Sequence, residues 1–294
     1  MTASVQCKWY DDAIDALQLN GLSEKTQLHY ARAIRQLVEF YDKAPELITE
    51  DELQKYFLHR RNEDKWAPST MQICLSGIRF FFIKVLRRDW HIFNLVRVKT
   101  ESRLPCVLNR DEIYRIFSYV KTFHNYTFFS TVYSCGLRLQ EALNLQVSDI
   151  DSNRMMLHIH RAKGAKDRYV PLPENTLTLL RDYWQKHKNP RLIFPARGRN
   201  NQEAPIAEHP MDRGSVQGAF RKAKIDAGIN KRKVSIHTLR HSYATHLLEA
   251  GVNIHVIQRY MGHSRLETTM IYFHLTKKGA KDAYDIINQT MKGF

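Results

Sequence analysis

The sequence predicts a mainly α-helical protein of the α+β class, with one small antiparallel β-hairpin and two domains. Three observations lead to this prediction. Apolar residues recur every three or four positions over most of the chain. One pair of alternating segments, RMMLHIHR and DRYVPL, flanks the glycine-containing turn AKGAK. Helical periodicity is interrupted over residues 93–108, and 294 residues suffice for a core on each side of that interruption.

Residues 1–92 are predicted to form a four-helix bundle. A short helix over residues 9–19 is followed by a second helix that begins after the capping residue Ser23. The third begins after Thr49, with acids in its first turn and basic residues at its end, as the helix dipole favours. The fourth follows Pro68. The apolar positions of the second helix are Leu28, Ala31, Ile34, Leu37, Val38 and Tyr41.

Residues 93–108 lack periodicity and contain Pro105 and several charges, which predicts a linker, with a surface loop inside one domain as the alternative. The second domain, residues 109–294, begins with two helices and continues into the hairpin. Helices then return over residues 174–187 and 213–227, and continue to the C-terminus with breaks at Gly251 and Gly262.

The charge of the chain predicts a polyanionic partner. The formal net charge is +15, of which residues 108–294 contribute +13, from 29 Lys and Arg against 16 Asp and Glu. A field of this size attracts nucleic acid and supplies salt-sensitive affinity.

The cysteine spacing and the lengths of the apolar runs also indicate the cellular compartment of the protein. The four cysteines lie far apart without a CxxC pair, which argues against a disulfide framework and a thiolate zinc site. Apolar runs are too short to cross a bilayer, and acids occupy the first 20 residues. We expect a cytoplasmic protein that makes no membrane contact.

The stretch SIHTLRHSYATH, residues 235–246, combines polar groups with residues typical of a helix core. A zinc site is disfavoured there, because position 238 is Thr instead of the Glu of HExxH, and Arg240 would place a positive charge beside the metal. As a helix, the stretch carries His237, Arg240, His241 and Ala244 on one face and Leu239, Tyr243 and Leu247 on the other. The apolar face predicts contact with a core, and the basic face predicts another role.

Other segments supply matching groups. Arg138 follows a turn at Gly136, Lys163 lies at the hairpin tip, and His263 and Tyr272 follow the break at Gly262. Two arginines, a lysine, two histidines and a tyrosine are the groups needed for phosphoryl transfer to tyrosine without a metal. We therefore expect no metal and no cofactor.

The chain resembles the tyrosine recombinases, also called the λ-integrase or phage-integrase family, which includes the Xer-type enzymes. The resemblance rests on four stretches in the family's order: CGLRLQEALNLQVSDID, AKGAKDRYVPL, HTLRHSYATHLLEAGVNIHVIQRYMGH and TTMIYFH. It implies site-specific DNA recombination. It also implies that the bundle is a SAM-like core-binding domain, that residues 109–294 are the catalytic domain, and that the two form a C-shaped clamp around DNA.

The resemblance assigns roles to individual residues. Both arginines would hold the phosphate, with Glu141 bracing the site, while the tyrosine attacks and forms a 3′-phosphotyrosine. His237 would accept the proton of the tyrosine, His263 would donate to a phosphate oxygen, and Lys163 would protonate the departing 5′ oxygen. The exchange would need no ATP and would pass through a Holliday junction. The complete catalytic set is Arg138, Lys163, His237, Arg240, His263 and Tyr272, with Glu141 in support.

The resemblance also implies partners. These are double-stranded recombination sites, a homotetramer in the synaptic complex, and accessory DNA-bending or directionality proteins. A short helix after Gly279 is expected to dock on its own domain or on a neighbouring subunit. Candidate phosphate contacts are Lys25, Arg32, Arg79, Lys84, Lys166, Arg221 and Lys222.

Two other functions fit the sequence. A recombinase-derived DNA-binding accessory protein would have lost its activity, which the intact catalytic set argues against. A type IB topoisomerase would use the same chemistry to relax DNA without exchanging partners. Nicked DNA carrying one cognate site separates the inactive protein from both enzymes, and recombinant products between two sites separate the enzymes from each other.

Overall fold

The computed structural model describes residues 3–99, 104–162, 166–198, 202–273, 275–276, 288–289 and 292. The chain divides into two compact units, Met1–Ser102 and Arg103–Phe294. Each unit has its own apolar core, and the described residues are mostly helical with one small antiparallel sheet. The predicted fold class is therefore confirmed. Among the described helices, none combines the length and the apolar character needed to cross a bilayer.

The described part of the first unit forms four main α-helices and one short α-helix, besides a 3₁₀ turn at Pro45–Leu47. They are α1 (Ala3–Leu19), α2 (Glu24–Tyr41), α3 (Glu50–Asn62), α4 (Pro68–Lys84) and α5 (Ile92–Leu95). Their apolar faces bury Leu37, Tyr56 and Phe81 completely. Helices α2 and α4 approach closely at Gly77, where an added Cβ would lie 2.9 Å from the Cα of Tyr30. A residue without a side chain is what permits this separation.

The predicted ends of these helices agree with the structure in part. Thr49 caps α3 as predicted, since its hydroxyl accepts a hydrogen bond from the Glu52 N–H at 3.3 Å. Ser23 occupies the N-cap position of α2, but its hydroxyl makes no cap hydrogen bond. The prediction for Leu28 is wrong, because this side chain is 64% exposed and the buried face of α2 begins only at Ala31.

The linker prediction is wrong at both ends. Phe93 is buried in the core of the first unit, and Val96 and Val98 pack against the same core. At the other end, Leu108 is buried in the core of the second unit. The connection is shorter than residues 93–108 because apolar side chains at each end join the adjacent core.

The second unit surrounds a three-stranded antiparallel sheet with helices. The strands are β1 (Ile150–Asp151), β2 (Met156–Ala162) and β3 (Lys166–Pro171), in the order β1-β2-β3. The predicted hairpin is confirmed as β2 and β3, while β1 is an addition that the sequence did not predict. The helices are α6 (Arg110–Ser118), α7 (Phe123–Ser134), α8 (Leu139–Leu143), α9 (Glu174–His187), α10 (Arg213–Asp226), α11 (Ile236–Glu249), α12 (Ile254–Met261) and α13 (Glu267–Phe273).

The core of the second unit joins helices to the sheet. Phe128 and Phe129 of α7, Leu157 of β2 and Val170 of β3 are completely inaccessible to solvent. This packing fixes the sheet and α8 relative to α7, and so positions the residues described next. The helix predicted after Gly279 lies outside the described residues apart from positions 288–289 and 292.

Candidate active site

Arg138 is the N-cap residue of helix α8 and follows the turn predicted at Gly136. Gly136 has a φ of +61°, and an added Cβ would lie 2.4 Å from Cδ1 of Tyr243, so both the backbone and the packing require glycine. The N–H of Arg138 donates to Oε2 of Glu141 at 2.8 Å, and its Nη1 donates to Oε1 at 2.7 Å. Glu141 therefore braces Arg138 as expected, while the Arg138 side chain stays 24% exposed and open to a ligand.

Glu141 has a second partner, Arg168 of β3, which the sequence analysis missed. The guanidinium of Arg168 donates to Oε1 at 2.9 Å and to Oε2 at 2.7 Å, and its Nε donates to the Tyr260 carbonyl at 2.8 Å. Burial opposes the charge of Glu141, but the hydrogen bonds from Arg168 and Arg138 outweigh it and lower the pKa to about 2. Alternation along β3 was the available signal, since it places Arg168 on the same face as the buried Val170.

Arg240 of α11 is almost wholly buried and linked to the main chain. Its Nη1 donates to the Gly136 carbonyl at 2.6 Å, and its Nη2 donates to the Met261 carbonyl. Nη1 also lies 3.8 Å from Oε2 of Glu141. Burial, followed by the positive charge of Arg138, lowers the pKa of Arg240 to about 9. Arg240 itself therefore points into the protein, whereas His237 on the same predicted face of α11 is exposed.

Tyr272 of α13 lies in the same site, and its hydroxyl is hydrogen-bonded to Nδ1 of His241 at 2.9 Å. The tyrosine is buried, which raises the pKa of its hydroxyl, whereas Arg240 and Arg138 act in the opposite direction. The partner is not the one expected. His237 precedes His241 by one helical turn, and its ring packs edge-on against the His241 ring with centroids 4.5 Å apart.

His241 was predicted to share the basic face of α11 but received no catalytic role. The His-x-x-Arg spacing assigned roles to His237 and Arg240 only, and His241 directly follows that pair. Burial, followed by His237 and Arg240, lowers the pKa of His241 to about 4. The imidazole is therefore neutral near pH 7, and Nδ1 can accept a proton.

His263 lies beside both Arg240 and Tyr272. Its Nε2 is 3.5 Å from Nη2 of Arg240, its Nδ1 is 2.9 Å from Oγ1 of Thr269, and its ring stacks on that of Tyr272. Burial and the adjacent Arg240 lower the pKa of His263 to about 3. Burial likewise lowers the pKa of His237. All three imidazoles can therefore serve as neutral donors or acceptors.

The structure thus brings together five of the six predicted catalytic residues, namely Arg138, Arg240, His237, His263 and Tyr272, together with Glu141. Lys163, the sixth, lies outside the described residues. Among the candidate phosphate contacts, Lys25, Arg32, Arg79, Lys84, Arg221 and Lys222 are exposed, while the side chain of Lys166 lies outside the described part of the chain. DNA contact by these residues stays a prediction.

The geometry favours one kind of chemistry. Two guanidinium groups can neutralise the non-bridging oxygens of a phosphodiester, as metal ions do in other enzymes. A buried hydroxyl with a neutral imidazole at 2.9 Å is a nucleophile with its base in place. A phosphoryl group transferred to Tyr272 would suit both features.

Comparisons with known proteins agree with this chemistry. Residues 107–278 match the model of the phage integrase family, and residues 9–92 match that of the phage integrase N-terminal SAM-like domain. An integrase/recombinase of Escherichia coli is 31% identical, covering 92% of this chain and 90% of the relative. A tyrosine recombinase of Thermosipho africanus is 30% identical, covering 89% of this chain and 92% of the relative.

Solved structures show the same fold. A λ integrase fragment crystallised as a dimer on a core site is similar with a TM-score of 0.71 at 18% identity, covering 90% of this chain and 93% of that one. XerA recombinase is similar with a TM-score of 0.53 at 25% identity, covering 95% of this chain and 97% of that one. Both domain models, both relatives and the site agree: this chain belongs to the phage integrase family and is a tyrosine recombinase, an enzyme that breaks and rejoins DNA strands.

Proposed function

We propose that Tyr272 is the nucleophile of a site-specific recombination reaction on double-stranded DNA. Its oxygen attacks a backbone phosphorus, the bond from phosphorus to the 5′ oxygen breaks, and a 3′-phosphotyrosyl link forms with a free 5′-hydroxyl. The observation that carries this proposal is the Tyr272 hydroxyl, which is buried beside two arginines and hydrogen-bonded to His241.

Arg138 and Arg240 bind the two non-bridging oxygens of that phosphate. Glu141 holds Arg138 in place, and Arg168 holds Glu141, so the cationic site exists before DNA binds. Because the donors are already oriented, little reorganisation is needed as charge develops in the transition state. Nε2 of His263 faces Nη2 of Arg240 at 3.5 Å, within reach of an oxygen held by that arginine.

The proton of Tyr272 moves to Nδ1 of His241 as the oxygen attacks. We assign this step to His241 because of its hydrogen bond to the hydroxyl, and we place His237 next to it as the second imidazole of the pair. Lys163, carried over from the family's motif, protonates the departing 5′ oxygen, which would otherwise leave as an unstable alkoxide.

The phosphotyrosyl link retains the energy of the broken bond, so a second 5′-hydroxyl can attack it without ATP. Repetition on the second pair of strands passes through a Holliday junction. We propose that four copies of this chain act on two recombination sites in the cytoplasm, with both units contacting DNA, and that accessory DNA-bending or directionality proteins set the outcome.

A covalent-capture experiment tests the proposal. The full chain is incubated with a pool of randomised duplexes, each nicked so that the short fragment carrying the free 5′-hydroxyl diffuses away after cleavage, and adducts are detected on denaturing gels. We expect adducts with the wild type and with the control Tyr126→Phe, and none with Tyr272→Phe. Absence of adducts with the wild type would indicate an inactive DNA-binding protein.

The captured DNA sequence is then used to distinguish a recombinase from a topoisomerase-like enzyme. Two copies of it are placed in one plasmid, and the products are sequenced across both junctions. Exchanged flanks identify a recombinase, whereas relaxation of supercoils with unexchanged flanks identifies a topoisomerase-like enzyme.

A further inference from the structure

The sheet of the second unit carries a cluster of two histidines and two aspartates that the proposed mechanism does not use. His158 and His160 alternate on β2 and so point to the same side of the sheet, and Asp167 follows on the adjacent strand β3. Asp149, just before β1, completes the cluster. The side chains of His158, His160 and Asp167 are between 26% and 51% exposed, so an ion from solvent can reach them.

We propose that His158, His160 and Asp167 bind one divalent transition-metal ion of the zinc class. Nε2 of His158 lies 3.2 Å from Oδ2 of Asp167, and Nδ1 of His160 lies 3.7 Å from the same oxygen. In a tetrahedral zinc site with bonds of about 2.1 Å, neighbouring ligand atoms lie about 3.4 Å apart. The two observed distances lie on either side of that value, so small side-chain rotations complete the site.

Asp149 supplies the partner that a metal-binding histidine requires. Its Oδ1 lies 2.7 Å from Nε2 of His160, the ring nitrogen opposite to the proposed ligand atom. Among the described residues Oδ1 accepts no hydrogen bond, and a rotation of the His160 ring that brings Nδ1 to the metal would let Nε2–H donate to this oxygen. Asp149 is itself fixed, because it is 4% exposed and its Oδ2 accepts a hydrogen bond from the Gln146 N–H at 2.8 Å.

The ligand types indicate which metal would bind. Two imidazoles and one carboxylate suit Zn²⁺, Co²⁺ or Ni²⁺, whereas Mg²⁺ and Ca²⁺ prefer sites built from oxygen atoms. The fourth position would be taken by water, since the cluster borders an open cavity of 330 Å³ lined by Asp149, His158 and His160.

The position of the site suggests what the ion would do. It would tie β2 to β3 near the end of the hairpin, and His160 precedes Lys163 by three residues in the sequence. Arg138 and Glu141 line the same cavity. The ion would therefore stabilise the sheet beside the proposed recombination site. This inference does not depend on the proposed roles of the catalytic residues.

Cobalt binding tests the proposal on the full chain, freed of metal by a chelator and carrying no histidine tag. Co²⁺ is titrated while its visible absorption is recorded, and Zn²⁺ is then added as a competitor. We expect one Co²⁺ per chain with the spectrum of a four-coordinate site, displaced by Zn²⁺ and unaffected by Mg²⁺. The absence of such a spectrum in the wild-type chain would overturn the proposal.

Variants locate the site. His160→Gln and Asp167→Asn should each weaken Co²⁺ binding at least about tenfold, whereas His255→Gln, at an exposed histidine of α12, should bind like the wild type. Asp149→Asn should keep the Co²⁺ spectrum but weaken binding about 10- to 100-fold, as expected for a positioning residue. Circular dichroism checks that each variant is folded. Unchanged binding in both His160→Gln and Asp167→Asn would place the ion elsewhere and refute the assignment.

Discussion

Arg168 and Glu141 form a paired, two-point hydrogen-bonded contact that is nearly inaccessible to solvent, with atoms 2.9 and 2.7 Å apart. The same carboxylate also holds Arg138. Arg138 contacts DNA in our proposal, and its orientation therefore depends indirectly on Arg168, a residue that received no role from the motifs.

Loss of one partner from this pair should be costly. Arg168→Met removes two of the hydrogen bonds to the Glu141 carboxylate and leaves it Arg138, with Arg240 3.8 Å away, and we expect it to lower the free energy of unfolding by about 3 kcal/mol. The double variant Arg168→Met with Glu141→Gln should recover little of that stability, because Arg138 and the buried Arg240 then lose the carboxylate that lies between them. Urea denaturation measures both. A double variant as stable as the wild type would show that neither Arg138 nor Arg240 depends on the charge of Glu141.

His241 should be required for covalent capture of DNA. His241→Gln preserves a hydrogen-bond acceptor near the Tyr272 hydroxyl but cannot take up its proton, and we expect strand cleavage to slow by about 10²- to 10⁴-fold. Single-turnover cleavage of the nicked substrate measures the rate. His237→Gln is the matched variant. A larger loss in His237→Gln than in His241→Gln would assign the base to His237 instead.

Stability should decrease as the pH falls below about 6.5. The folded pKa values of His241 and His263, about 4 and about 3, lie below the ordinary value of about 6.5. Between these values the unfolded chain binds protons that the folded chain does not, so acid favours unfolding. The loss approaches about 1.4 kcal/mol per pH unit for each histidine as an upper limit.

Urea midpoints at pH 7, 6 and 5 measure this slope. The double variant His241→Gln with His263→Gln should have a smaller slope, and His255→Gln should have the wild-type slope. An unchanged slope in the double variant would show that folding does not lower the pKa values of these two histidines.

Gly136 should tolerate alanine much less well than Gly228. Both have positive φ, +61° and +66°, but an added Cβ meets the Tyr243 ring at 2.4 Å only at Gly136, with nothing within 4 Å at Gly228. We expect Gly228→Ala to cost about 1 kcal/mol and Gly136→Ala at least about 2 kcal/mol more. Chemical denaturation of the two variants compares them. Equal costs would mean that Tyr243 moves aside freely.

The sequence predicted the fold where local patterns determine it. The α2 periodicity, the Thr49 cap and the hairpin alternation each depend on neighbouring residues, and the structure contains all three elements. The prediction that Leu28 is buried was wrong because its apolar character indicates a core face, while the packing of other helices decides where that face begins. The same limit applies to Phe93, which is buried by a tertiary contact that periodicity does not encode.

In the site, the residues that lie within motifs were predicted, and the contacts between distant segments were not. Arg138, Arg240 and Tyr272 were found because their spacing within motifs is distinctive. Arg168 lies 27 residues from Glu141, so their contact exists only once the sheet packs on α8. The hydrogen bond between His241 and Tyr272 likewise joins α11 to α13, and helical geometry alone indicated only which face His241 shares.

Arg240 has a consequence for how such an enzyme can evolve. Its guanidinium binds the carbonyls of Gly136 and Met261, so it joins the turn before α8 to the end of α12 as well as serving the reaction we propose. A mutation of Arg240 would therefore remove the activity and also destabilise the fold. A descendant that kept the fold while abandoning catalysis would more easily lose the Tyr272 hydroxyl, because phenylalanine fills the same space. Descendants that have lost recombinase activity should therefore more often retain Arg240 than Tyr272.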